Sequence, residues 1–162
     1  MEIYARKQFL KIFLLAAAVI IGLSSLWYTS RLVKRLSAEE RKRVELWAEA
    51  TRQLATAEEN KDLSFALKVI VDNKTIPVIL ADEQSEILSH VNLDSVKALD
   101  TVWLANQLSI MRQQHAPIEI NVFNNIRQYI WYQDSVLLVQ LRYYPFVQLF
   151  IIALFVFVAY IA

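Results

Sequence analysis

Two long stretches without a charged residue limit what this chain can fold into. The first runs from Ile12 to Tyr28 (IFLLAAAVIIGLSSLWY) and the second from Tyr143 to Ala162 (YYPFVQLFIIALFVFVAYIA). A helix that crosses about 30 Å of hydrocarbon needs roughly 17–25 apolar residues. Both stretches meet that length, and Phe9 and Leu10 extend the first if the stem of Lys11 snorkels to the headgroups. Trp27 and Tyr28 close the first stretch, and Arg142, Tyr143 and Tyr144 open the second, where interfacial aromatics and cations are expected. Pro145 is compatible with the first turn of a membrane helix or with a small kink there. A domain of about a hundred residues has too little surface to cover two helices that are apolar on every side. Spanning helices over 12–28 and 143–162 are therefore expected.

Arg6, Lys7 and Lys11 before the first stretch resemble the start of a signal peptide. No A-x-A-like cleavage site follows, and Arg31, Lys34 and Arg35 come instead, as in an uncleaved anchor. Two spans put both termini on one side, with 1–11 forming a short N-terminal segment. The positive-inside rule does not choose that side. The early cations favour a cytoplasmic start, whereas Arg31, Lys34, Arg35, Arg41, Lys42 and Arg43 argue the other way. The intervening loop is also longer than the range in which its charges count fully.

Between the spans the composition is mixed. Residues 29–60 contain no Gly or Pro and are rich in Ala, Glu, Lys, Arg and Leu, which predicts a long juxtamembrane helix. Leu32, Val33, Leu36, Val44, Trp47, Ala50, Leu54 and Ala57 form one stripe on it. The stripe either packs on its own domain or pairs with a second copy in a homodimer. Ser37 with Glu40 resembles a capping box, where a break is possible. Asp62 is placed to cap a second helix over about Leu63 to Val71, ended by Asn73 and Lys74. The period then changes. Ile76 to Ala81 reads as a strand with Pro77 at its start or on an edge. Asp82 to Glu86 reads as a turn, and Ile87 to Val91 as the hairpin partner. A helical pattern returns from Leu93 to His115, with Asn92 or Asp94 as cap, and Ala116-Pro117 ends it. Ile118, Ile120 and Val122 alternate with Glu119, Asn121 and Phe123, Asn124-Asn125 makes a turn, and Arg127 to Tyr132 returns. Asp134 and Ser135 are positioned to cap a final helix that runs into the second span. The expected class is α+β, with a small antiparallel sheet over 61–142 between two transmembrane helices.

The chemistry-bearing residues form no catalytic set. There is no cysteine, hence no disulfide, thiolate metal site or cysteine nucleophile. Gly22 is the only glycine, which excludes phosphate loops of the Walker or dinucleotide type. With two histidines, His90 and His115, a zinc site would need carboxylates. A histidine at a helix end more often serves that helix's carbonyls and dipole. Ser85, Ser89 and Ser95 lie near His90 without a recognisable triad pattern. Asp82, Glu83 and Glu86 read as a turn rather than a calcium or acid–base site, since calcium wants six or more oxygens. Phe123, Tyr129, Trp131 and Tyr132 either line a pocket or, as aromatics favoured in strands, pack on a sheet face. No metal, cofactor or catalytic residue is assigned, and any ligand-binding residue stays open. The 17 basic and 16 acidic residues give no electrostatic case for nucleic acid.

Three strings carry a family likeness: RKRVELWAEATRQLA after the first span, LKVIVDNKTIPVILADEQSEILSHVNLD, and QYIWYQDSVLLVQLRYYPFVQLFIIALFVFVAYIA. Together they resemble the N-terminal sensor portion of membrane sensor histidine kinases of the Bacteroidota. The resemblance implies a PAS-like domain outside the inner membrane, a cytoplasmic N-terminus, dimerisation, and an unknown extracytoplasmic ligand or protein partner. It also implies a kinase core after residue 162, in a two-component system. Neither His90 nor His115 stands in a kinase motif, so neither inherits the phosphoacceptor role. The turn Glu83-Gln84-Ser85 lacks the glycine expected of the family there. The alternatives are a small two-span protein that regulates a partner without a kinase, and the sensor of another output enzyme.

Overall fold

The computed structural model describes residues 2–57, 62–122 and 126–161, with the backbone alone for 2–7, 10 and 159. The expected turn at Asn124-Asn125, Phe123 and residues 58–60 of the juxtamembrane helix lie outside the described residues. The described elements are helix α1 (Glu2–Ala55), α2 (Ser64–Asp72), strands β1 (Val78–Asp82) and β2 (Ile87–Val91), a 3₁₀ turn (Lys97–Leu99), α3 (Thr101–Gln114), β3 (Ile118–Val122), β4 (Ile126–Tyr132) and α4 (Val136–Ile161). The class is α+β, with four α-helices and one antiparallel sheet. Two compact units result: residues 1–36 with 137–162, and residues 37–136.

Within the second unit the strand order is β2-β1-β4-β3. Each hairpin expected from the period-two patterns is present, and β1 also pairs with β4 through Val78↔Tyr132 and Leu80↔Ile130. Pro77 precedes β1 rather than lying on an edge strand, and its carbonyl accepts the Gln133 N–H at 3.2 Å. Because β1 is central, both its faces are covered. Val78, Ile130, Tyr132 and Ile120 pack with Val44, Trp47 and Ala48 of α1, and Ile70 of α2 joins them. On the opposite face Ile79 packs with Leu108 and Met111 of α3, flanked by Ile87, Leu93 and Trp131. Alternate residues of β1 and β4 thus go to different cores, as the pleat requires. The sheet is a middle layer between α1 with α2 on one side and α3 on the other.

Three local expectations are corrected. The helix expected from Leu93 to His115 is broken. Asp94 accepts the N–H groups of Val96 and Lys97 over the 3₁₀ turn, and Asp100, in extended backbone, caps α3 by accepting the Val102 N–H at 2.8 Å. Those two N–H groups hold the Asp94 carboxyl below its ordinary range. Asn92 caps nothing. It sits at positive φ and donates to the carbonyls of Asn73 and Ile76. The helix expected to reach Asn60 ends at Ala55, and no break falls at Ser37–Glu40. Asp62 does accept the Ser64 N–H at the start of α2. The first turn over Asp82 to Glu86 closes with Ser85 at φ 71°, its N–H on the Asp82 carbonyl.

The other unit consists of the first part of α1 and the length of α4 from Leu137. Both helices are long and apolar enough to cross a membrane, and only 11% and 6% of their most apolar windows are buried. That exposure separates them from core helices, which hide their apolar faces. Gly22 is buried where the helices meet, and a Cβ there would stand 2.8 Å from Leu149 Cδ2. One turn on, the Ser25 hydroxyl donates to Gln148 Oε1 at 2.7 Å. Pro145 lies in the interior of α4 rather than in its first turn, because the helix begins at Val136, well before the apolar stretch.

Candidate functional site

The residues between β4 and α4 are polar and yet buried. Asp134 is 5% exposed and Ser135 3%. A buried polar group has to find hydrogen bonds or it costs stability. Asp134 Oδ1 lies 2.8 Å from His115 Nε2, and the Asp134 N–H reaches Gln114 Oε1 at 3.3 Å. His115 is the C-terminal cap residue of α3. Its ring also stacks on Tyr132, the last residue of β4, with centroids 4.4 Å apart and planes within 6°. Ser135 turns to the other side. Its N–H and hydroxyl both donate to the Glu40 carboxylate, at 3.1 and 2.5 Å. Glu40 belongs to α1. The next residue on that helix, Arg41, pairs with Glu45 at 3.0 Å, and its guanidinium acts on the Tyr132 phenol.

These contacts form one polar cluster on three elements: Glu40 and Arg41 of α1, Gln114 and His115 at the end of α3, and Tyr132, Asp134 and Ser135 at the exit of β4. Its electrostatics follow from burial and one cation. Burial pushes the Tyr132 phenol above its ordinary value, against the opposite pull of Arg41. The Tyr132 phenol in turn holds the Arg41 guanidinium above its own usual value, with Glu45 adding to it.

The structure distributes the sequence candidates differently from their order in the chain. His115 belongs to this cluster, whereas His90 is exposed on the edge strand β2. Asp82 spends its carboxylate on the Glu86 N–H, and Glu83 pairs with Arg127 across the sheet end at 2.9 Å. Arg112 reaches the Ser85 hydroxyl at 2.7 Å and lies over the Trp131 ring. Trp131 and Tyr132 are on opposite faces, so the aromatics of β4 do not line one pocket. Among the described residues no group of three or more His, Cys, Asp or Glu side chains converges on a metal-sized space. Glu40 and Ser135 are the residues that sequence reading missed as a pair. Each sits in a local capping pattern, and their real partners are 95 positions apart.

Beside the cluster, Trp47 is 5% exposed and its indole Nε1 has no acceptor among the described residues. An orphaned buried donor costs about 1–3 kcal/mol. Trp47→Phe removes that donor while keeping most of the ring, so the full chain is expected to be as stable as wild type or slightly more so. Trp47→Ala should lose about 3–5 kcal/mol. Urea melts of the two variants in detergent check the contrast.

No family model, curated protein or solved structure matches the chain.

Proposed function

We propose that the chain is the signal-input module of a membrane histidine kinase, with residues 37–136 as a PAS-like domain outside the inner membrane. In this reading a ligand or partner on the domain shifts α1 and α4, and the shift crosses the bilayer in a homodimer. The observation that carries it is the polar cluster. It gathers the helix that leads out of the first apolar stretch, the end of α3, and the residue just before α4. A change at any one of these displaces hydrogen-bonded groups of the others, and small shifts of packed helices are an established switching mode. A hairpin at each edge and the first and last strands side by side in the centre support the PAS-like assignment. A ligand acts only if it binds the two positions of these helices differently.

The chain has no cysteine, so a single introduced thiol reports without background. Ser89→Cys, exposed on β2, is expected to react with a membrane-impermeant maleimide in intact spheroplasts. Labelling in inverted vesicles alone rejects an outward-facing domain. The coding frame beyond residue 162 decides the output. A phosphoacceptor helix there supports the kinase, and a stop codon there replaces it with a two-span regulator.

A further inference from the structure

Charge is divided unevenly between the two units. Of the 17 basic residues, seven fall in residues 1–36 and 137–162: Arg6, Lys7 and Lys11, then Arg31, Lys34 and Arg35, and finally Arg142. Of the 16 acidic residues only Glu2 does. Residues 37–136 keep the remaining ten basic against fifteen acidic. The helical pair is thus strongly cationic, and its cations stand at the ends of the apolar stretches.

The geometry at one end is specific. Trp27, Tyr28, Arg31, Lys34 and Arg35 are all exposed. Trp27, Arg31, Lys34 and Arg35 follow helical spacing, so they share one face of α1. The Arg31 guanidinium lies 4.9 Å from the Trp27 ring centroid. Lys34 and Arg35 make no ion pair or hydrogen bond among the described residues. At the opposite end of the pair Lys11 lies over Tyr160 at 5.4 Å. At 1.5 Å per residue, Lys11 and Arg31 are about 30 Å apart along the axis, which is the hydrocarbon thickness. Arg31 then falls at the acyl boundary, with Trp27 one turn, about 6 Å, inside it. Lys34 stands about 4.5 Å beyond that boundary and Arg35 about 6 Å, within the headgroup layer.

We infer that the face Trp27–Arg31–Lys34–Arg35 binds the phosphate of anionic phospholipid headgroups, with the indole just inside the acyl boundary and the three cations at and beyond it. The inference rests on the membrane reading of the two helices. The partner follows from charge complementarity: three cations and no carboxylate on a face at headgroup depth. A basic residue near an anionic surface contributes about 1 kcal/mol, or about fivefold in binding.

The test uses the full chain in proteoliposomes of phosphatidylcholine with spin-labelled phosphatidylglycerol or spin-labelled phosphatidylcholine as probe. Wild type should prefer the anionic probe about fivefold or more. The triple variant R31Q/K34Q/R35Q should fall towards a ratio of one. The variant K42Q/R43Q, further along the same helix, should keep the wild-type ratio. Millimolar inorganic phosphate should not compete. A wild-type ratio of one, a preference that survives the triple variant, or displacement by free phosphate each overturns the inference. Flotation with the vesicles after alkaline extraction is measured on the same samples. If the chain washes off, the membrane reading fails; if it stays with a ratio of one, only the lipid site does.

Discussion

Tyr132→Ala is expected to destabilise the domain by about 3–5 kcal/mol, the range for truncating a large buried aromatic. Three independent contacts end on this side chain. Its ring is 2% exposed within the core that holds Val44 and Trp47 of α1 against the sheet. Its face stacks on His115. Its hydroxyl interacts electrostatically with the Arg41 guanidinium. Tyr132→Phe keeps the first two and should cost no more than about 1 kcal/mol, the upper size of one polar interaction of the phenol. Near-ultraviolet circular dichroism of the full chain in nanodiscs, followed through urea, gives both values. A loss below about 1.5 kcal/mol for Tyr132→Ala would contradict the placement of the ring in the core. The phenol adds a pH signature. Its pKa in the folded chain lies above the ordinary value of 10.0, so folding favours the protonated form. That contribution is complete below pH 10 and is lost as the pH rises through the higher folded value. The difference in stability between wild type and Tyr132→Phe should therefore shrink in strong alkali.

The parts of this fold that local patterns dictate were legible in the sequence. The two apolar helices, both hairpins and the stop at Ala116-Pro117 follow from run length, period and proline, all of which act within a few residues. What was not legible depends on partners far along the chain. Ile76 to Ala81 is almost continuously apolar because β1 is central and covered on both faces, but the same run fits an edge strand next to Pro77. Asp100 lies inside an apolar periodicity that continues through the 3₁₀ turn, so the pattern reads as one helix where a turn and a helix stand. The site was the least legible. Ser37–Glu40 satisfies a capping box and Asp134–Ser135 satisfies a helix start, so each acid and hydroxyl had a sufficient local explanation. Burial changes their meaning. Once Asp134 and Ser135 are removed from water, they require His115, Gln114 and Glu40, and no spacing rule connects residues 95 positions apart.

Met111→Ala should cost about 2–5 kcal/mol, as expected for a fully buried methionine cut back to a methyl group. Met111 is 0% exposed and, with Leu108, fastens α3 to Ile79 on the face of the sheet opposite α1. Met111→Leu conserves volume and should cost less than about 1.5 kcal/mol. Hydrogen exchange should show the loss first in the amides of α3, while α1 keeps its protection. The decisive measurement is the double variant with Tyr132→Ala. The two side chains sit in different cores on different faces, and substitutions without shared partners add to within about 0.5 kcal/mol. Yet His115 is linked to both residues, to Tyr132 by its ring and to Met111 through the backbone. Its ring stacks on Tyr132, and its N–H bonds the Met111 carbonyl at 3.1 Å in the last turn of α3. Loosening α3 withdraws the imidazole from Tyr132 and Asp134, and truncating Tyr132 removes the surface that holds it. Each change thus forfeits part of what the other would lose. The double variant should therefore fall short of the sum by more than 0.5 kcal/mol, and the shortfall should vanish when His115 is itself replaced by alanine. Strict additivity would mean that the polar cluster does not couple α3 to the α1 side of the sheet, and the transmission route proposed above would lose its physical basis.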